Sequence, residues 1–183
     1  FGVRGKQDAS PVTLADERAE EAIVDALRAL TPDVPIIAED TVAAGRVPEV
    51  HDRFWLVDPL DGTKEFISRN GEFTVNIALI QDGAPLLGVV YAPAIGRLFA
   101  GLDGETAYVE DAGGRRPIRC RAAPAEGITV VASRSHGDAA ALDAFLGTRK
   151  VASLKNAGSS LKLCLVAAGE ADLYPPPGRT MEW

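Results

Sequence analysis

Asp58 and Asp61 are separated by Pro59-Leu60 and followed at once by Gly62-Thr63, at the end of the apolar run Phe54-Trp-Leu-Val57. Two carboxylates and the Leu60 carbonyl between them make a set of hard oxygen donors, which suits Mg²⁺ far better than zinc or copper. Gly62 lets the backbone approach a ligand closely. Thr63-Lys-Glu-Phe-Ile67 is expected to open a short helix, whose first N–H groups would face an anion such as phosphate. A third acid, Glu39, follows Ile36-Ile37-Ala38, so neighbouring strands are expected to bring it near Asp58. Its neighbour Asp40 is expected in solvent or one layer behind. Asp-Pro and Asp-Gly pairs are also ordinary turn signals. The spacing alone therefore admits a plain turn as readily as a metal site.

These residues need elements to hold them. Pro59 lacks a backbone donor and fixes its φ, so the chain is expected to turn out of the sheet there and bring both aspartates to one side. Ile23, Leu27 and Leu30 recur at helical spacing, which predicts a helix over residues 13–30 that stops at Pro32. Short strands are predicted over 35–38 and 54–57. Phe73, Val75, Ile77 and Leu79 alternate with Thr74, Asn76 and Ala78, the period-two pattern of a strand. Gln81-Asp-Gly83 then supplies hairpin chemistry before a partner strand over 86–91. Turns at Ala94-Ile-Gly96, Asp103-Gly104 and Gly113-Gly114 extend this into a meander. Beyond Pro124 a strand over 128–132, a helix over 139–146 and a second helix opening at Ser159-Ser160 are predicted. The change of texture near residues 121–126 divides the chain into a metal-binding and catalytic lobe, 1–122, and a substrate-recognition lobe, 123–183.

The whole-chain composition narrows the class. With 183 residues, 46% hydrophobic and 25% charged, the chain can bury a core. No apolar run reaches the roughly 20 residues of a membrane helix, and the first residues lack a signal peptide's apolar centre. A cytoplasmic protein is expected. Cys120 and Cys164 form no paired motif, and Cys164 within Leu161-Lys-Leu-Cys-Leu-Val166 is expected in the core. A net charge of −7 and a pI near 4.9 argue against a nucleic-acid polymer as partner. The chain starts without methionine and stops at Met181-Glu-Trp183; both ends are expected to be cut.

Ala38-Glu-Asp-Thr-Val-Ala-Ala-Gly45 followed by Trp55-Leu-Val-Asp-Pro-Leu-Asp-Gly-Thr63 resembles the Mg²⁺-dependent, lithium-sensitive phosphatases of the inositol monophosphatase superfamily. Asp61-Gly-Thr-Lys-Glu-Phe66, Asn70-Gly-Glu-Phe-Thr-Val-Asn-Ile77, Ser133-Arg-Ser-His136 and Gly158-Ser-Ser-Leu-Lys162 are most similar to its bacterial 3′(2′),5′-bisphosphate nucleotidases. The match runs from about Lys6 to Trp183. It implies a layered α/β/α/β sandwich and removal of a phosphate from adenosine 3′,5′-bisphosphate, a by-product of sulfate assimilation. The partner implied is a small phosphorylated nucleotide.

Residue by residue, the resemblance implies two or more Mg²⁺ ions. Glu39, Asp58 and the Leu60 carbonyl would hold the first, and Asp58 and Asp61 the second. The family's remaining aspartate follows a Trp equivalent to Trp183, and this chain has no residue there. Either the sequence is a fragment or the second site is impaired; the fragment is expected. Asp16 has two readings. After Thr13 it fits a capping box; by resemblance it works with Thr63 to orient and deprotonate the attacking water, with Glu39 helping to fix that water. Glu39, Leu60, Asp61, Gly62 and Thr63 would surround the scissile phosphate. His136, Gly158, Ser159 and Lys162 would contact the nucleotide and its remaining phosphate, the Gly158-Ser159-Ser160 step through its amides. Alternatively Ser159 is an N-cap and Lys162 a solvated helical charge. Relatives often carry an arginine shortly after the Tyr-Pro step, where this chain has Pro176; Arg179 is the candidate substitute.

Three rival readings stand beside this one. The substrate could be inositol monophosphate or another sugar phosphate. An aspartyl-phosphate phosphatase would need an acid two residues before Asp61, whereas Asp58 lies three before it. A chain that binds Mg²⁺ or phosphorylated ligands without turnover is the third.

Overall fold

The protein is described from a computed structural model, which covers residues 11–133 and 139–175. Helix α1 (Pro11–Leu30) leads into strand β1 (Ile36–Ala38), the short helix α2 (Glu39–Ala43) and strand β2 (Arg53–Asp61). Helix α3 (Thr63–Ser68) then precedes a run of strands: β3 (Thr74–Gln81), β4 (Ala84–Ala92), β5 (Arg97–Leu102), β6 (Thr106–Asp111) and β7 (Gly114–Pro117). The first seven strands form one sheet in sequence order, parallel between β1 and β2 and antiparallel thereafter. Strand β8 (Ile128–Ser133), helix α4 (Ala139–Leu146), strand β9 (Val151–Ala157) and helix α5 (Leu161–Ala167) follow. Strands β8 and β9 pair in parallel as a second sheet, with α4 in the crossover.

Local chemistry explains these elements. Asp82 and Gly83 both have positive φ, 53° and 76°, between the paired Gln81 and Ala84. That is the two-residue turn whose twist matches a hairpin. Helix α1 ends where the Thr31 N–H and hydroxyl both donate to the Leu27 carbonyl, at 2.8 and 3.0 Å, ahead of Pro32. The indole of Trp55 donates to the same Thr31 hydroxyl at 2.9 Å, tying the helix end to β2.

Two helices cover opposite faces of the large sheet. Val24 and Leu27 of α1 pack with Ala38, Trp55 and Val57, joined by Ile77 and Leu79. On the other face, the register runs Asp58↔Asn76↔Val90↔Phe99↔Val109. Phe99 and Val109 pack with Leu161 and Cys164 of α5, while Leu165 and Val166 of the same helix pack with Val131 and Ala157 of the second sheet. Helix, sheet, helix, sheet is therefore the layer order, a mixed α/β fold. Cys164 is buried, and its thiol is pushed up to about 12 by that burial.

Several expectations need correction. The chain does not leave the sheet at Pro59. Strand β2 continues to Asp61, and the irregularity is a bulge between the pairs Asp58↔Asn76 and Asp61↔Thr74. A bulge is one of the few sheet positions that accept proline, because the extra residue need not donate to the ladder. Helix α1 already runs at Pro11, so Thr13 lies inside it and Asp16 does not close a capping box. Strands β7 and β9 and helix α2 were not expected. Among the described residues, no helix is long and apolar enough to cross a membrane.

Candidate active site

The bulge determines where the first two acids stand. In a regular strand, residues three apart face opposite sides of the sheet. Here the three-residue step from Asp58 to Asp61 spans only the two-residue step from Asn76 to Thr74 on the partner strand. Both aspartates therefore share one face with Thr74 and Asn76, the face against which α5 lies. Pro59 and Leu60 take no partner in that register. The parallel pairing Ala38↔Val57 carries Glu39 past the end of β1 to the level of Asp58. Helix α1 packs against α2 and α3, and its Asp16 is buried.

The electrostatics record this crowding. The Asp58 carboxyl is pushed up to about 7, first by burial, then by Asp61, Glu39 and more weakly Asp16; the Leu60 N–H, donating to its Oδ1 at 3.1 Å, opposes the shift. A buried acid ringed by three others is a site that a divalent cation would relieve, and every donor in the set is an oxygen. The donor set thus fits Mg²⁺. As they stand, however, the side chains couple without closing on one point. Among the described residues no three acidic, histidine or cysteine side chains are gathered tightly enough to hold an ion. Asp61 accounts for part of this, because its Oδ2 accepts the Ser160 N–H at 2.5 Å and the Thr74 hydroxyl at 3.4 Å.

Gly62 precedes α3 in the left-handed region, φ 92°, and a Cβ there would stand 3.1 Å from the Ser159 Cβ. Thr63 opens α3, which is only six residues long.

The segment between β9 and α5 meets this face through Gly158-Ser159-Ser160. The Gly158 N–H donates to Glu72 Oε2 at 2.9 Å, and the Ser159 hydroxyl to the Glu72 carbonyl at 2.6 Å. The Ser160 hydroxyl reaches Asn76 Oδ1 and Thr74 Oγ1, each at 2.8 Å. The Gly158 and Ser160 amides, expected to face a phosphate, are thus engaged by the Glu72 and Asp61 carboxylates. Ser160 rather than Ser159 caps α5, without a side-chain cap bond. Nor is Lys162 a solvated charge. It is buried, its ammonium donates to the Ser159 carbonyl at 2.6 Å and stands 5.5 Å from the Tyr174 ring centroid. Burial pulls the Lys162 ammonium down, against the pull of Asp61, Glu65 and Glu72. His136, Arg179, Pro176 and Trp183 lie outside the described residues.

Sequence reasoning overlooked Glu20. It is buried on α1, one turn beyond Asp16, and accepts the Asp40 N–H at 2.8 Å, the Thr41 N–H at 3.1 Å and the Thr41 hydroxyl at 2.5 Å. It holds the start of α2, and with it Glu39. An acid four residues after Asp16, on the same helical face, was the available signal.

Acids, fold and layer order together define a family: the chain matches the inositol monophosphatase family over residues 2–183 and belongs to it. It is 51% identical over 183 residues to the 3′(2′),5′-bisphosphate nucleotidase CysQ of Escherichia coli (strain K12), covering 99% of this chain and 72% of that protein. Inositol monophosphatase 3 of Solanum lycopersicum is 34% identical over 172 residues, 89% of this chain and 63% of that one. Among solved structures, CysQ from Bacteroides thetaiotaomicron superposes with a TM-score of 0.81 at 38% identity, covering 97% of this chain and 71% of that one.

Proposed function

We propose that the protein is a Mg²⁺-dependent phosphomonoester hydrolase that removes the 3′-phosphate of adenosine 3′,5′-bisphosphate, giving AMP and phosphate. The observation that carries this is the acidic face at the bulge of β2, with the buried Lys162 across from it on α5. The 51% identity to a nucleotidase supports the choice of substrate over inositol phosphate. The reading includes a small phosphorylated nucleotide as partner and a cytoplasmic setting.

Glu39, Asp58 and the Leu60 carbonyl would hold one ion, and Asp58 with Asp61 a second. Bound Mg²⁺ supplies acidification of water and neutralisation of phosphate charge. The chain's own residues do the rest. Thr63, at the first position of α3, accepts the proton of the attacking water as its own hydroxyl proton passes to the Asp16 carboxylate of the packed α1. Glu39 fixes that water. The Gly62 and Thr63 amides hold the phosphoryl oxygens as charge builds on them. Lys162 faces the second phosphate, with Gly158 and Ser159 shaping its surroundings and His136 at the nucleotide.

Phosphate release from adenosine 3′,5′-bisphosphate and from inositol monophosphate, each with and without Mg²⁺, tests the reading. Mg²⁺-dependent release that favours the nucleotide is expected. Equal or greater release from inositol monophosphate would overturn the substrate, and nucleotide binding without release would overturn the chemistry.

A further inference from the structure

Gly158 sits between two acidic side chains. Its N–H donates to Glu72 Oε2 at 2.9 Å, and a Cβ in its place would lie 2.3 Å from the Glu65 Cγ. The next residue, Ser159, has a φ of 48°, a left-handed conformation rare for a residue with a side chain. It is tied by its hydroxyl to the Glu72 carbonyl at 2.6 Å. Its own carbonyl accepts the Lys162 ammonium at 2.6 Å. A strained residue persists only where its surroundings over-determine it, and here Glu72 supplies part of them, beside the Leu161 N–H that also reaches the Ser159 hydroxyl at 3.4 Å. Glu72 is held in turn, because its N–H donates to Asn70 Oδ1 at 2.9 Å beside Gly71, φ 81°. A connected path therefore runs from the loop before β3, through Gly158 and Ser159, to the buried cation.

We propose that Glu72 is a positioning residue for substrate choice: by gripping Gly158 and Ser159 it determines where Lys162 stands, and so favours a phosphomonoester that carries a second phosphate. Glu72 takes no part in bond cleavage. This inference rests on the proposed function. Lys162 is reached by the charges of Asp61, Glu65 and Glu72 together. A displaced loop would leave the cation among these carboxylates and away from an incoming anion.

The test compares adenosine 3′,5′-bisphosphate with 3′-AMP, the same nucleoside without the second phosphate, in wild type, Glu72→Ala and Glu72→Gln. Glu72→Ala is expected to raise KM for the bisphosphate about tenfold with kcat within about twofold, and to leave kcat/KM for 3′-AMP within about twofold. Glu72→Gln keeps an oxygen to accept the Gly158 N–H and restores the bisphosphate KM. Equal loss on both substrates, an unmoved KM, or a Gln variant that behaves like Ala overturns the inference. If Glu72→Ala does not unfold cooperatively, Asn70→Ala instead removes the acceptor that holds the Glu72 N–H; the same split between substrates supports the inference and a uniform loss overturns it. A wild type inactive on the bisphosphate overturns the proposed function instead, so the two failures are distinct.

Discussion

The Ser160 N–H donates to Asp61 Oδ2 at 2.5 Å, joining two positions 99 residues apart in the chain. One oxygen of a proposed metal ligand is thereby turned toward the helix that carries the buried cation. With the Glu72 carboxylate, which accepts the Gly158 N–H at 2.9 Å, it ties the start of α5 to the large sheet.

Asp61→Asn retains an acceptor for Ser160 while removing the charge. Folding should survive, and Mg²⁺-dependent phosphate release should fall at least a hundredfold, about 2.7 kcal/mol in barrier. Steady-state rates with a thermal melt as control measure this. A loss within tenfold would remove Asp61 from the metal role.

Glu20 accepts three hydrogen bonds from the start of α2 in a buried setting. Glu20→Ala leaves those donors unmatched and should destabilise the protein by about 2 kcal/mol. Amide hydrogen exchange at Asp40 and Thr41 should accelerate more than exchange in β3. Uniform acceleration would mean that Glu20 serves the whole fold and not this segment.

Gly158→Ala sets a Cβ 2.3 Å from the Glu65 Cγ, and Glu65 is itself buried. The φ of Gly158 is not in the positive region, so the cost is steric, roughly 1–3 kcal/mol. Truncating Glu65 to Ala in the same chain should recover most of it. A double variant that merely adds the two losses would show that the clash is elsewhere.

Asp172 accepts the Arg121 guanidinium through both oxygens, at 2.7 and 2.8 Å, and the Thr129 N–H at 2.6 Å, which hold its carboxyl down at about 2. The folded value lies below the ordinary 3.8. The stabilisation is therefore complete above the ordinary value and is lost as pH falls through the folded one. Denaturation of wild type and Asp172→Asn at pH 6 and toward pH 2.5 should show a gap that narrows on acidification. A constant gap would contradict the assignment.

Much of this fold was legible because local chemistry and tertiary demand agree. Asp82-Gly83 announces the hairpin, and the spacing of Ile23, Leu27 and Leu30 announces α1, although its buried face is centred on Val24 and Leu27 while Leu30 is exposed. Strand β9 was not, since Val151-Ala-Ser-Leu-Lys-Asn-Ala157 shows no alternation and is exposed almost throughout. The acids at β2 were legible as types and as sharing one side, but the means was not: a bulge, in place of the expected turn at Pro59, shows only when the partner strand is known. Glu20 was hidden, and so was the burial of Lys162, for one reason: each is held by a carbonyl or amide group supplied by the fold, which side-chain spacing does not report.

The extra residue in β2 also bears on how acidic signatures are told apart. Removing Leu60 would give Asp-Pro-Asp-Gly-Thr in an even strand, with both carboxylates still on one side. Two motifs a single letter apart would then look alike from the side chains. They would part company at the main chain, where the longer version leaves an oxygen outside the ladder and the shorter one weaves it in.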